Sequence, residues 1–552
     1  MNGIDFIAQI LKQEGVEWIS CFPSNPIISA AARVGIRPIA FRHERGAVMA
    51  ADGYSRISDR QRFGVVAVQS QAGAENSMGG LAQAFADNIP ILVLLGGNRL
   101  DQISVRPNFS AVTRLQGWAK SIEAIYQPEQ VGNVMRRAFH ALRNGPPGPV
   151  VVELTSDVCA REVPEAFRSY HSPKAVRQRP EHEDVQEAVR LLRAAKKPMI
   201  WSGAGVLASQ ATAGLQELAE LTAMPVFCTM PGKSSMDERH PLALGAGSGT
   251  TTLAAHRWLV ESDVLLALGT SLTRSPYAQP IRSGKSIIHN SINPGDVNKD
   301  ESANVALIGD TKLTIEALIA EIKAQTDGKG FGDRKRSEQQ VAELRSEFMA
   351  EWQPILDGDE EPLSYYRVIK ELNNSLDREN SIVTHDAGAP RDTMLPFFVA
   401  TTPHSYIGWG KTTHLGFGVP LMIGAKMAEP KKFCLNVMGD GAFGMSGLDI
   451  ETAVRSGAAI TTLLLNNSDM ATYSGPTRGN IGEEARQKYG VSKMQGDYAK
   501  IAEGMGAIGI RVTKASEIGP ALKEAQRLNA AGKTVLIDVA ANVEDRRSRF
   551  KS

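Results

Sequence analysis

Short apolar runs alternate with amphipathic helical stretches along almost the whole of this chain, and that alternation limits the fold more than any other feature. FGVVAVQS (63–70), IPILVLLGG (89–97) and GPVVVELT (148–155) read as buried strands, with helical patterns between them. Strands of this kind separated by helices imply parallel sheets covered on both faces. The predicted fold class is therefore α/β, with three doubly wound parallel-sheet domains. The 552 residues allow three or four domains at about 150 residues each. The predicted blocks are 1–168, 185–325 and 360–545. A polar linker, SYHSPKAVRQRPEHED (169–184), ends the first, and a Gly- and charge-rich connector, TDGKGFGDRKRSEQQ, follows the second.

A formal net charge of +1 leaves no electrostatic footprint for nucleic acid or an acidic membrane surface. Two short basic runs, Arg334-Lys335-Arg336 and the tail Arg546-Arg547-Ser548-Arg549, are expected as solvated surface. Cys21, Cys159, Cys228 and Cys434 have no CxxC spacing, which points to neither a zinc site nor a disulfide framework. MNGIDFIAQILKQEGVEW is an acid-containing amphipathic helix pattern rather than a signal peptide, and no apolar run reaches the ~20 residues that span a bilayer. A cytoplasmic enzyme is expected.

One stretch carries chemistry. In NVMGDGAFGM (436–445) a carboxylate, Asp440, stands between Gly439 and Gly441 at the end of a predicted buried strand. Burying a charge is costly unless something pairs with it. FCLNVM (433–438) reads as a strand, MSGLDIETAVRSG (445–457) as a helix and AAITTLLLNN (458–467) as the next strand. Such a unit leaves its strands parallel, usually as near neighbours, so Asp440 and Asn467 should meet at one sheet edge. A carboxylate and an amide oxygen, with carbonyls and phosphate oxygens, suit Mg²⁺. The amides of Ala442 and Phe443, near a helix N-terminus, would then face phosphates, and the glycines let backbone approach closely. A tight GDG turn whose Asp only caps the helix is the plainer alternative.

GDG followed at this distance by an apolar strand ending in Asn-Asn resembles the cofactor motif of the thiamine diphosphate-dependent enzyme superfamily. Acetohydroxyacid (acetolactate) synthases, 2-oxo acid decarboxylases and oxalyl-CoA decarboxylase belong to it. The resemblance implies thiamine diphosphate and Mg²⁺ as cofactors, with Asp440, Asn467 and the main-chain oxygen of Asp469 as metal ligands. His43-Glu44-Arg45-Gly46-Ala47, then Ala51-Asp52-Gly53-Tyr54, resembles the family's helix that carries a conserved-type acid. Glu44 is thereby implied to hydrogen-bond the cofactor's pyrimidine and support proton transfer through it. SQAGAENSMGGLAQAFADNIPILVL (70–94) and SYIGWGKTTHLGFGVPLMIGAKMA (405–428) are similar to two further family segments. They imply that Leu415 props the cofactor. Gly388 in THDAGAP falls where the family places a diphosphate contact. Such sites combine a first domain from one subunit with a third from another, which implies a homodimer at least, commonly a homotetramer.

The chain also departs from its relatives. Gly203-Ala204-Gly205-Val206-Leu207-Ala208 fits GxGxxA after a strand, but no ribose-binding acid is well placed. GTSLTRSPYAQP (269–280) replaces the synthases' Arg-Phe-Asp-Asp-Arg segment, which argues against FAD; FAD or ADP in the central domain is the secondary expectation. Gly410-Lys411-Thr412-Thr413-His414 replaces Gly-Gly-Leu-Gly-Thr, making Lys411 and His414 candidates to bind a carboxylate or move a proton. Their alternative is a solvent-facing or backbone-satisfying role. Ser24 and Asn25 are candidate pocket residues, and Gln69 occupies the place of an active-site His in some decarboxylases. The expected activity is an acetolactate-synthase-like 2-oxo acid decarboxylase or carboligase. The rivals are a 2-hydroxyacyl-CoA lyase or oxalyl-CoA decarboxylase relative, whose basic tail would cover CoA, and a catalytically silent regulatory homologue. The expected substrates are a 2-oxo acid, an aldehyde or an acyl-CoA.

Overall fold

The computed structural model of the protein describes residues 1–59, 61–412, 414–470 and 481–550. Three six-stranded sheets follow one another along the chain, and every pairing between their strands is parallel. The first runs Arg37–Ala40, Trp18–Cys21, Gly64–Val68, Ile91–Gly97, Val150–Thr155, Ser121–Ile125 across its width. The second runs Val305–Ile308, Ser286–Ser291, Val264–Leu268, Pro198–Ser202, Val226–Thr229, Ala243–Gly247. The third runs Tyr406–Ile407, Ser381–His385, Phe433–Gly439, Thr461–Asn466, Val535–Ala540, Ile508–Val512. Numbered within its own sheet, the third repeats the strand order of the first. Central strands are buried along their whole length, as in Gly64–Val68 and Val150–Thr155, because helices cover both faces.

The first and third sheets are locked together by two helices, Glu44–Ile57 and Gly418–Ala428. A Cβ on Gly424 would stand 1.9 Å from the Ala50 carbonyl oxygen, and one on Gly53 would stand 2.2 Å from that of Leu421. Only glycine lets these backbones cross so closely.

Three expectations need correction. The helix expected over 445–457 is two helices, Asp440–Ser446 and Asp449–Ser456, broken where the Phe443 ring fills the space beside Gly447. The helix Arg334–Leu356 begins inside the segment read as a connector. Its N-cap is Asp333, whose side chain accepts the Arg336 amide, and Arg334 pairs with Glu338 one turn on. The basic C-terminal tail is only partly solvated surface: Arg549 is exposed, but the Arg547 side chain is buried, with Asp392 at 3.7 Å, and Phe550 stacks on His256 of the middle unit. Buried carboxylates draw these cations inward. Among the described residues no helix is long and apolar enough to cross a membrane.

Candidate cofactor site

Strand Phe433–Gly439 lies beside Thr461–Asn466, with Gly439 opposite Leu465, so the residues that leave both strand tips emerge together. Gly388, Leu415, Gly439, Asp440, Gly441, Ala442, Asn467 and Asp469 all line one cavity of about 70 Å³ there, with Tyr365 and Met470. Gly388 has φ +84° and no heavy atom within 4 Å of where a Cβ would sit; Gly439 is equally open. A bulkier residue at 388 would be strained in that conformation. Phe443 is buried but outside this lining, its ring edge-on to Tyr498.

The polar atoms in this cavity are incompletely satisfied. Asp440 Oδ1 accepts the Gly441 amide at 2.9 Å, whereas Asp440 Oδ2 is buried without a partner. Asp469 Oδ2 accepts from Lys493 Nζ at 3.2 Å, and Asp469 Oδ1 is again buried and unpartnered. Asn467 Nδ2 donates to the Tyr365 hydroxyl at 2.9 Å, while its Oδ1 accepts the Asp469 amide at 2.9 Å and keeps a second lone pair. Burial pushes the Asp440 carboxyl up to about 6, against hydrogen bonds from the Gly441 and Ser468 amides and with the Asp469 charge adding to the rise. Orphaned carboxylate oxygens in one enclosed space call for a cation, and hard oxygen donors fit Mg²⁺. Among the described residues no group of three or more His, Cys, Asp or Glu could hold a metal ion. A bound Mg²⁺ would therefore need further oxygens from carbonyls, water or a phosphate-bearing partner, which suits a metal that binds through few carboxylates.

Asp386, not singled out from the sequence, holds this site in shape. It is fully buried and accepts the Ala387 amide at 2.7 Å, the Gly416 amide at 3.0 Å and the Gly418 amide at 2.8 Å. That ties the loop bearing Leu415 to the end of strand Ser381–His385. Its signal was available, since it ends an apolar strand just as Asp440 does. Tyr365, the first residue of helix Tyr365–Ser375, carried no such signal. Asp386→Asn turns one acceptor into a donor facing backbone N–H groups. We expect a loss of about 2–3 kcal/mol of stability, read by urea unfolding, together with weaker thiamine diphosphate binding.

The other candidates lie apart from this cavity. Glu44 opens the helix Glu44–Ile57, is buried, and accepts from Asn76 Nδ2 at 3.1 Å; it is not among the cavity's lining residues. Gln69 is half-buried after strand Gly64–Val68, close to Gly73 and Gly96. His414 sits against Gly79 and Arg45, and burial followed by the Arg45 charge lowers its pKa. Lys411 lines a different cavity, of about 610 Å³, between all three sheets. Thr413 lies outside the described residues. Asn25 is a structural clamp, donating to the Val68 and Leu94 carbonyls at 2.9 and 3.1 Å, and Ser24 adopts φ +92°.

Comparison with known proteins agrees with this geometry. Three family models match in chain order: the thiamine pyrophosphate enzyme N-terminal TPP binding domain over 1–123, the central domain over 185–318 and the C-terminal TPP binding domain over 386–539. A probable acetolactate synthase large subunit of Methanococcus aeolicus is 29% identical, covering 95% of this chain and 90% of its own. The isozyme 2 large subunit of acetolactate synthase from Escherichia coli is 27% identical over 98% of this chain and 97% of its own. With all three domains matched in order and the GDG cavity built at two adjacent strand tips, this chain belongs to the thiamine pyrophosphate enzyme family.

Proposed function

We propose that the protein is a Mg²⁺-dependent enzyme that breaks or forms a carbon–carbon bond next to a carbonyl, acting as an acetolactate-synthase-like 2-oxo acid decarboxylase or carboligase. The observation that carries this reading is the unpartnered carboxylate oxygen Asp440 Oδ2 in a cavity that Asn467 and Asp469 also line; the Asp469 carboxylate already pairs with Lys493, which leaves its main-chain oxygen as the expected ligand. Asp440, Asn467 and Asp469 would hold Mg²⁺, and Gly388, Gly439 and Gly441 leave room for a diphosphate. Thiamine diphosphate held there would supply a nucleophilic carbon and an electron sink next to the substrate carbonyl. Leu415, on the cavity wall, would pack against the cofactor, and Glu44 of a second protomer would hold a proton at its pyrimidine. His414, kept neutral by burial and by Arg45, is suited to accept a proton from substrate. The acting species is at least a homodimer.

An acyl-CoA substrate is the second outcome of the test: Arg546 is compensated by Glu544 and Glu360, whereas Arg391, Arg547 and Arg549 share the one carboxylate of Asp392, which leaves this end of the tail basic. Incubation with thiamine diphosphate, Mg²⁺ and pooled 2-oxo acids, 2-hydroxy ketones and acyl-CoAs, read by mass spectrometry, tests the assignment. We expect Mg²⁺-dependent consumption of a 2-oxo acid with loss of CO₂ or formation of a ligated product. Consumption of an acyl-CoA alone would overturn the reading.

A further inference from the structure

The cavity of about 610 Å³ falls within the ~300–1,000 Å³ usual for small-molecule sites. It opens along the carboxyl ends of the middle sheet and is closed by residues of the first and third units. Much of its wall is apolar: Leu207, Met230, Leu272, Tyr277, Ile281 and Ile407. FAD or ADP in the middle domain is the secondary expectation from the sequence, and its fit can be judged on the charges present.

Five carboxylates reach this wall: Asp59, Asp87, Asp296, Glu301 and Asp310. Each has a partner within the chain, Asp87 sharing Arg56 with the buried Asp52. Asp59 pairs with His404, Asp296 with Lys299 and Glu301 with Arg274. Asp87 accepts from Arg56 at 2.8 Å and from the Gly410 amide at 3.0 Å. Asp310 caps helix Thr311–Gln325 through the Lys312 and Leu313 amides. Those pairs also occupy Arg56 and Arg274. The Gly-rich turn at 203–205 leads only into the five-residue helix Ala204–Ala208. That is too short to offer a useful dipole to a diphosphate. A doubly charged diphosphate would meet several acids and one free cation.

That cation is Lys411. Among the described residues it makes no ion pair and no hydrogen bond, and burial draws its ammonium below the ordinary lysine range, with Asp87 and Asp296 only partly opposing. One cation without an ion pair in a large, mostly apolar wall is the complement of a single anionic head on an apolar body.

We propose that this cavity binds a small carboxylic acid with an apolar body, its carboxylate on Lys411, and that it does not hold a dinucleotide. The proposal is independent of turnover at the Asp440 site and is tested without thiamine diphosphate. Phenylacetate, hexanoate, phenylacetamide, FAD and ADP are titrated calorimetrically into the full-length chain, its Lys411→Met variant and its Lys411→Arg variant. Phenylacetate or hexanoate should bind the wild type, and phenylacetamide, with the same body and no charge, at least about tenfold more weakly than phenylacetate. Lys411→Met should lose that discrimination and Lys411→Arg should keep it. Failure of both acids to bind at millimolar concentration overturns the proposal. So does equal binding of phenylacetate and phenylacetamide, unchanged phenylacetate affinity in Lys411→Met, or FAD or ADP binding more tightly than either acid. If Lys411→Met does not fold, the comparison of acid with amide in the wild type decides.

Discussion

Asp440→Asn should lose Mg²⁺-dependent uptake of thiamine diphosphate by on the order of 100-fold or more, yet yield a more stable protein at neutral pH when no cofactor is present. The two effects share one cause. Asp440 Oδ2 is a buried oxygen with no partner, so the fold bears the desolvation of a charge that only a cation relieves. The folded carboxyl titrates near 6, above its unfolded value. The group's contribution to stability is therefore fully present below the unfolded value near 3.8 and is lost as pH rises through about 6. Above that the ionised, uncompensated Asp440 costs on the order of 2 kcal/mol once solvent screening is allowed for. The amide has no charge to desolvate. Thermal unfolding without cofactor should show Asp440→Asn more stable than wild type at pH 7.5 and the difference shrinking at pH 4.5. Calorimetry with thiamine diphosphate and Mg²⁺ should show binding by the wild type alone. A variant that binds the cofactor with wild-type affinity would remove Asp440 from the metal site.

Sequence alone reaches a good part of this arrangement, for identifiable reasons. Strands such as Ile91–Gly97 are legible because helices bury both their faces, so almost every residue is apolar. Asp440 and Asn467 are legible as a pair because a strand–helix–strand crossover forces their strand tips to one edge, and the two strands are in fact direct neighbours. What escapes sequence reading lies in loops and between units. Lys411, His414 and Leu415 span five residues of one loop yet meet three different surroundings: the large cavity, the Gly79–Arg45 wall and the small cavity. A loop has no period from which to assign those directions. The large cavity needs residues from all three units, and no local pattern announces it. Arg547 reads as solvated because its burial depends on Asp392, more than 150 residues earlier.

The repeated strand order of the first and third sheets bears on how the site is completed. Two sheets of one topology present equivalent carboxyl edges, Glu44 following a strand of one and Asp440 a strand of the other. Within one chain the helix carrying Glu44 is tied to the third unit by glycine-close packing against Gly418–Ala428, which fixes where its own carboxylate can go. That carboxylate rests on Asn76 and stays outside the lining of the Asp440 cavity. We propose that a cofactor spanning from metal to acid takes the acid of a second copy.

Glu44→Gln should consequently lower kcat by on the order of 10²–10⁴-fold while leaving Mg²⁺-dependent thiamine diphosphate binding within a few fold of wild type. The glutamine keeps the shape and the hydrogen bond from Asn76 but cannot share a proton. Asp440→Asn fails differently, by not binding the cofactor, so the two inactive proteins can complement each other. If each site takes its acid from one protomer and its metal ligands from the other, a hybrid dimer has one doubly altered site and one intact site. Random reassembly of equal amounts makes about half the dimers hybrid, so about one quarter of wild-type activity should return. If each site is built within one chain, every site in the hybrid carries one defect and no activity returns. Co-refolding of differently tagged variants, tandem purification of the hybrid and an assay on the 2-oxo acid found above separate these outcomes. A silent hybrid made from two folded parents would confine the reaction to one chain and rule out Glu44 acting from the partner.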